Sequence, residues 1–267
     1  MRLTIATGNS RREKHWNNTE IGLEELSRRL SNTVRTSETV EQYRKLSKAK
    51  QDEIKDVGGF VLGKLKGGRR KKDCVEYRSG LTLDMDYAVD GIAEQIGMFF
   101  DFRCLIYSTH KHIPERPRLR LVIPLSRNVT PDEYQAVGRK VAQDIGMELF
   151  DDTTYEPSRL MYWPSTSADG EYIFRDIKGD LLNPDLVLSR YRNWRDSALW
   201  PFSSRQQAVV STKLKSRQTR LPKKGQLVHF AGLMILNRQS QIFCRTFTSQ
   251  ARCRGVMIIF RPIPRLG

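Results

Sequence analysis

Between Leu81 and Phe174 the apolar residues switch repeatedly between strand and helix spacing, which restricts the chain to a fold that interleaves the two. Leu81–Tyr87, Arg103–Thr109 and Arg118–Leu125 read as strands, with helix-like segments near Gly91–Met98 and from Thr130 to Gly146. The last helix is well specified. Thr130 is its N-cap, Pro131 sits in the first turn, Glu133 completes a capping box, and Tyr134, Val137, Val141 and Ile145 keep one apolar face. Tyr162-Trp163 and Tyr172-Ile173-Phe174 are predicted as short strands around the turn Ala168-Asp169-Gly170. Upstream, Ile21, Leu23, Leu26 and Leu30 predict an amphipathic helix over about residues 19–31. A second helix is predicted from near Ser37 to Val57, stopped by Gly58-Gly59, and Gly67–Lys72 reads as a basic, solvated loop. The expected class is α+β, a mixed sheet with packed helices.

At 267 residues and 39% apolar content the chain can bury an ordinary core. No run approaches the roughly 18 apolar residues of a spanning helix, and Met1–Ile5 lacks a signal-peptide core, so neither a membrane nor a secreted protein is expected. Cys74, Cys104, Cys244 and Cys253 form no C-x-x-C pair, which argues against a zinc ribbon or a disulfide framework and fits a reducing cytoplasm. The net charge of +16 is that of a partner of phosphates. It is unevenly spread: residues 197–267 carry 13 Lys or Arg and no acid, leaving the first 196 with only +3. At the frequency of those 196 residues the remainder would hold about 11 acids. The expected organisation is a domain over 1–200 and a basic tail over 201–267. That tail is read as truncated or out of frame and poorly ordered, rather than as a dedicated nucleic-acid-binding arm.

Four constellations carry chemistry. In Leu81-Thr82-Leu83-Asp84-Met85-Asp86-Tyr87, period two points both carboxylates to one strand face, about 7 Å apart, where they repel and suit a hard divalent ion shared with substrate phosphates. In Tyr107-Ser108-Thr109-His110, the same period puts Ser108 and His110 on one face as hydrogen-bond partners for phosphate oxygens. Arg118 and Arg120 share a face of the next strand, offering planar forks suited to phosphate. Finally, Phe150-Asp151-Asp152 leads through a turn to Pro157-Ser158-Arg159, supplying a further acid and a further cation. Each has a plain structural reading too: solvent-facing acids, a strand-end histidine holding backbone, an exposed edge strand, an Asx-type turn.

Taken in order, a D-x-D strand, a Ser-x-His strand, an Arg-bearing strand and an apolar-Asp followed by Pro-Ser-Arg resemble the archaeo-eukaryotic primase superfamily. The wording Leu-Thr-Leu-Asp-Met-Asp-Tyr, Tyr-Ser-Thr-His-Lys-His and Glu-Pro-Ser-Arg-Leu-Met-Tyr-Trp-Pro is most similar to the N-terminal primase-like domain of phage and prophage virulence-associated protein E proteins. The resemblance covers about residues 1–200. It implies an RRM-like catalytic sheet with an N-terminal α/β module, and a DNA primase or primase-polymerase that joins nucleoside triphosphates on a single-stranded DNA template using two Mg²⁺ or Mn²⁺ ions. Carried over by motif, Asp84, Asp86 and Asp151 would be the metal-binding catalytic acids, with Asp152 an alternative to Asp151. Ser108, His110, Arg120 and Arg159 would hold the nucleotide. Proteins of this type usually continue into a helicase, but no G-x-x-x-x-G-K-[ST] loop occurs here, so any helicase would act in trans.

Two other readings stay open: a catalytically inactive nucleic-acid-binding remnant, and a rolling-circle nuclease built on His110 and His112. Lys111 fits the second poorly, because that chemistry wants an apolar residue between the histidines.

Overall fold

The computed structural model describes residues 1–207. The tail expectation falls almost wholly on residues 208–267, outside the described residues.

The chain opens with two paired antiparallel strands, β1 (Arg2–Gly8) and β2 (Asn17–Gly22). Here the expected first helix is shortened to α1 (Leu23–Ser31), because residues from Asn17 onward are drawn into pairing with β1. Leu23, Leu26 and Leu30 bury the apolar face as expected. After a two-residue strand β3 (Val34–Arg35), the predicted long helix is two short ones, α2 (Val40–Lys45) and α3 (Lys48–Ile54). The break has a local cause: Leu46 is extended at ψ 151°, and the Ser47 hydroxyl accepts from Lys50 N–H to start α3 as a new helix. Gly58, at φ +82°, turns the chain into β4 (Gly59–Val61), which is followed by β5 (Gly63–Leu65).

The remaining elements are β6 (Val75–Met85), α4 (Ile92–Phe99), β7 (Cys104–Ser108), β8 (Leu119–Val129), α5 (Pro131–Ile145), β9 (Met161–Tyr162), β10 (Ser165–Thr166), β11 (Phe174–Ile177) and α6 (Pro184–Ser189). The α5 signals hold in full: Thr130 and Glu133 form the capping box, Pro131 opens the helix and Gly146 closes it. Strands pair as β11-β7-β8-β6-β5 in a five-stranded sheet, β2-β1-β4-β9 in a four-stranded sheet, and β10-β3 as a parallel pair. Every pairing within the five-stranded sheet is antiparallel.

Period two sorts the central strands. Leu81, Leu83 and Met85 of β6 and Leu119, Leu121 and Ile123 of β8 pack with Ile96 of α4, Tyr134 and Val137 of α5 and Leu188 of α6 in the larger core. From the other face, Val122, Leu105 and Tyr107 join Leu3, Ile5, Leu26, Phe60 and Trp163 in a second core. The sheet is therefore covered on both sides. Thr82, Asp84 and Arg120 belong to the second face, where the apolar packing gives way to a cleft. The α+β expectation is met. Among the described residues no helix is long and apolar enough to cross a membrane.

Candidate active site

Asp84 and Asp86 stand at the C-terminal end of β6, and the cross-strand partner of Asp84 is Arg120 on β8. The antiparallel register brings their side chains together, Arg120 Nε donating to Asp84 Oδ1 at 2.9 Å. One residue pair further, Arg118 Nη1 donates to Asp86 Oδ1 at 2.8 Å. The third acid arrives from a loop: Asp151 N–H donates to Asp84 O at 2.9 Å, while its own carboxylate accepts from Arg159 Nη2 at 2.8 Å. Thr154 on the same loop accepts the Asp84 N–H at its Oγ1, at 2.7 Å. Thus D-x-D and Phe-Asp, 65 residues apart in sequence, are laced together by backbone bonds, and Asp84, Asp86 and Asp151 line one cleft.

The cleft has a volume of about 670 Å³, and nine Lys or Arg line it against four Asp, Asp52 being the fourth. Burial, then Asp84, then Asp151 at longer reach hold the Asp86 carboxyl above its ordinary value, even though Arg118 pulls it down. Crowded hard oxygen donors that resist sharing negative charge are the donor set that suits a divalent ion, and such ions take only one or two carboxylates plus substrate phosphates. By donor chemistry the residues fit. Among the described residues no three His, Cys, Asp or Glu side chains converge as ready metal ligands, each of the three acids being bonded to an arginine instead.

Of the other residues singled out in the sequence, His110 lines the cleft but has both nitrogens engaged. Its Nε2 donates to Glu38 at 3.0 Å and its Nδ1 accepts from the Ser165 hydroxyl at 2.9 Å, with the Tyr43 ring 4.4 Å away. Burial keeps His110 below its ordinary value against the pull of Glu38, so it is neutral. Glu38 stays below its own ordinary value although burial pushes it up, because Thr36, a backbone N–H and His110 donate to it. Ser108 is not among the cleft residues. Its cross-strand partner is Leu119, a member of the helix-facing core, and its hydroxyl, 1% exposed, accepts Ile173 N–H at 2.9 Å. The expectation that Ser108 and His110 share a strand face is corrected here: β7 ends at Ser108 and the chain turns through His110-Lys111. Ser108→Ala is expected to cost about 1 kcal/mol of stability while leaving nucleotide affinity unchanged. A tenfold loss of that affinity in a filter-binding assay would return Ser108 to the site.

Asp152 turns away from the acids: it accepts from the Ser203 hydroxyl at 2.6 Å and from Arg205 Nη2 at 3.4 Å, tying the segment after Pro201 to the domain. His112 Nδ1 accepts Arg118 N–H at 3.2 Å whereas both nitrogens of His110 bond to Glu38 and Ser165, so the two histidines of the nuclease reading share no partner. Sequence reading missed the whole opposite wall. Arg11, Arg12, Lys48, Lys55 and Arg70 reach the cleft from the N-terminal elements; Lys48 and Lys55 lay in the predicted second helix, and only Arg70 in a stretch noted for its charge, the basic loop.

Both buried histidines are held below their ordinary values, chiefly by burial, with Glu38, Lys55 and Lys111 around His110 and Glu171 near His112. In the unfolded chain each takes up its proton near pH 6.5, as unperturbed imidazoles do; in the fold each does so only at lower pH. Below about pH 6.5 the unfolded state therefore binds more protons, and stability falls as pH falls. The melting temperature is expected to drop between pH 7 and about pH 5.5, and His112→Asn to reduce that drop. A flat profile for the wild type contradicts the assignment.

Residues 1–203 match the VapE N-terminal domain family. The chain belongs to that family. The AEP domain of the cyanophage S-2L primase-polymerase is a similar solved structure, at 15% identity and a TM-score of 0.39, covering 70% of this chain and 87% of that one. Among curated proteins none matches this chain.

Proposed function

We propose that this VapE N-terminal domain is a template-dependent nucleotidyltransferase of the DNA primase or primase-polymerase type, serving a phage or other mobile element. The observation that carries the reading is the meeting of Asp84, Asp86 and Asp151 in one cleft whose lining is otherwise strongly basic. A cleft with nine cations attracts a polyphosphate and a strand backbone, while Asp84, Asp86 and Asp151 in its lining provide for divalent ions. Asp84 and Asp86, with Asp151, would hold Mg²⁺ or Mn²⁺. Ions held there would supply Lewis-acid chemistry, lowering the pKa of an attacking hydroxyl and offsetting the charge of the leaving pyrophosphate.

In the transfer itself, the 3′-hydroxyl of the growing end gives up its proton to solvent, its oxygen bonds to the α-phosphorus, the bond from that phosphorus to the bridging oxygen breaks, and pyrophosphate leaves. Arg120 and Arg159, now donating to Asp84 and Asp151, are placed to turn their forks toward the phosphates. His110 would meet a phosphate oxygen only by exchanging Ser165 or Glu38, and it otherwise anchors the wall of the cleft.

The test is incorporation of labelled nucleotide on single-stranded DNA with Mn²⁺ or Mg²⁺. Template-dependent, metal-dependent products support the reading, and their absence from folded, DNA-binding protein overturns it. A second reading, an inactive nucleic-acid-binding remnant, is favoured by the ion pairing of all three acids to arginines. The same assay decides between them.

A further inference from the structure

On the far side of the His110–His112 turn lies a smaller cavity of about 390 Å³. Tyr43 and Arg44 of α2 form one wall, and His112, Lys111, Arg116 and Arg118 the other; among the described residues no Asp or Glu lines it. Of its four cations only Arg118 is paired, with Asp86 at 2.8 Å; Arg44, Lys111 and Arg116 have no carboxylate partner among the described residues. Lys111 is held below its ordinary value, first by burial and then by the crowding of Lys55, Lys48 and Arg118.

His112 adds an independent sign of a missing ligand. It is 3% exposed, and its Nδ1 accepts the Arg118 N–H, so the proton of the neutral ring is on Nε2. That Nε2 is buried and has no hydrogen-bond partner among the described residues. A buried N–H without an acceptor is destabilising, and uncompensated cations beside it repel one another. A polyvalent anion relieves both. The cavity shares His110, Lys111 and Arg118 with the main cleft, so its occupant would lie beside the reacting groups.

We propose that this cavity is a second phosphate-binding site, adjoining the transfer cleft. An enzyme that begins a chain must hold two nucleotides at once, and the 5′-polyphosphate of the first would fit here; a phosphodiester of the template strand has the same chemistry. Only the identity of the phosphate's owner rests on the nucleotidyltransferase reading.

The experiment is a calorimetric titration of the whole chain with inorganic tripolyphosphate in the absence of metal. Two equivalents are expected for the wild type. Arg44→Ala/Arg116→Ala, at exposed positions, should lose one equivalent or weaken it at least tenfold; Lys55→Ala/Arg159→Gln should lose the other. A single equivalent, lost in Lys55→Ala/Arg159→Gln and untouched in Arg44→Ala/Arg116→Ala, overturns the second site while leaving the cleft reading intact. A single equivalent lost only in Arg44→Ala/Arg116→Ala upholds the second site and refutes the cleft as a polyphosphate site. With the site upheld, displacement of its equivalent by an oligonucleotide lacking a 5′-phosphate assigns it to the strand, and displacement by a nucleoside triphosphate alone assigns it to a nucleotide.

Discussion

Asp86→Asn is expected to reduce nucleotide incorporation by about a thousandfold or more, the scale on which removal of one preorganised charge-stabilising group acts, while the protein stays folded and binds DNA. Asp86 is a cleaner target than Asp84. Asp84 and Arg120 are nearly buried together, at 12% and 10% side-chain exposure, and breaking a buried pair strands the remaining charge at a cost of about 3–5 kcal/mol. An Asp84→Asn protein could therefore lose activity through its fold. Asp86 is more open, and burial together with Asp84 holds its carboxyl above the ordinary value. Its ionised form is thus disfavoured in the folded state relative to the unfolded one. Above the folded pKa that difference subtracts from stability, and an amide in its place removes the penalty. The expected pair of results at neutral pH is lost incorporation with an unchanged or raised melting temperature. Retained incorporation removes Asp86 from the reaction; a marked fall in melting temperature makes its role structural.

Arg78→Lys is expected to destabilise the domain by about 3 kcal/mol, through carbonyl groups left without donors. Arg78 is fully buried and among the described residues has no carboxylate partner. Its Nε donates to Leu62 O at 2.8 Å, Nη1 to Pro157 O at 2.6 Å and Nη2 to Thr82 Oγ1 at 2.8 Å, with the guanidinium 4.1 Å from the Tyr134 ring centre. Burial holds this guanidinium below its ordinary value, yet a guanidinium stays protonated in any folded protein. The net contribution is favourable only because one planar fork satisfies acceptors from three separate places in the chain. A lysine ammonium is a single point on a flexible stem and cannot span them. For a domain of this size the melting temperature should fall by about 6–12 °C. Because Pro157 lies two residues before Arg159, nucleotide KM should rise as well, the loop that positions Asp151 and Arg159 having lost its buried anchor. A melting temperature within about a degree of the wild type would show that the three acceptors find other donors.

The strands of the central sheet were legible because alternation is local. Leu81, Leu83 and Met85 face the helices, so Asp84 and Asp86 must face the other way, and the same rule places Arg118 and Arg120 beside them. Helix α5 was legible because its capping box, first-turn proline and terminal glycine all lie within a single stretch. The N-terminal region was less so. The apolar positions over 19–31 fit a helix, but pairing of Asn17–Gly22 with β1 outweighs that local preference, each residue gaining a cross-strand partner. The shared face expected for Ser108 and His110 failed because period two applies only while the strand lasts, and β7 ends at Ser108, two residues before His110.

From its own residues the sequence determined the period-two faces, the well-capped helix, the basic balance and the motif order that identifies the family. Only the tertiary structure decided that Asp151 bonds the backbone of Asp84, that Glu38 fixes His110, and that Lys55 and Arg11 from the N-terminal elements face the acids across one cleft. The same holds for Arg78 tying Leu62 to Pro157 and for the unpartnered nitrogen of His112 beside a second basic cavity. The physical reason is the range of the forces: periodicity and capping act within a turn or two of the chain, whereas these contacts join residues far apart in sequence and form only when the packed layers bring them together.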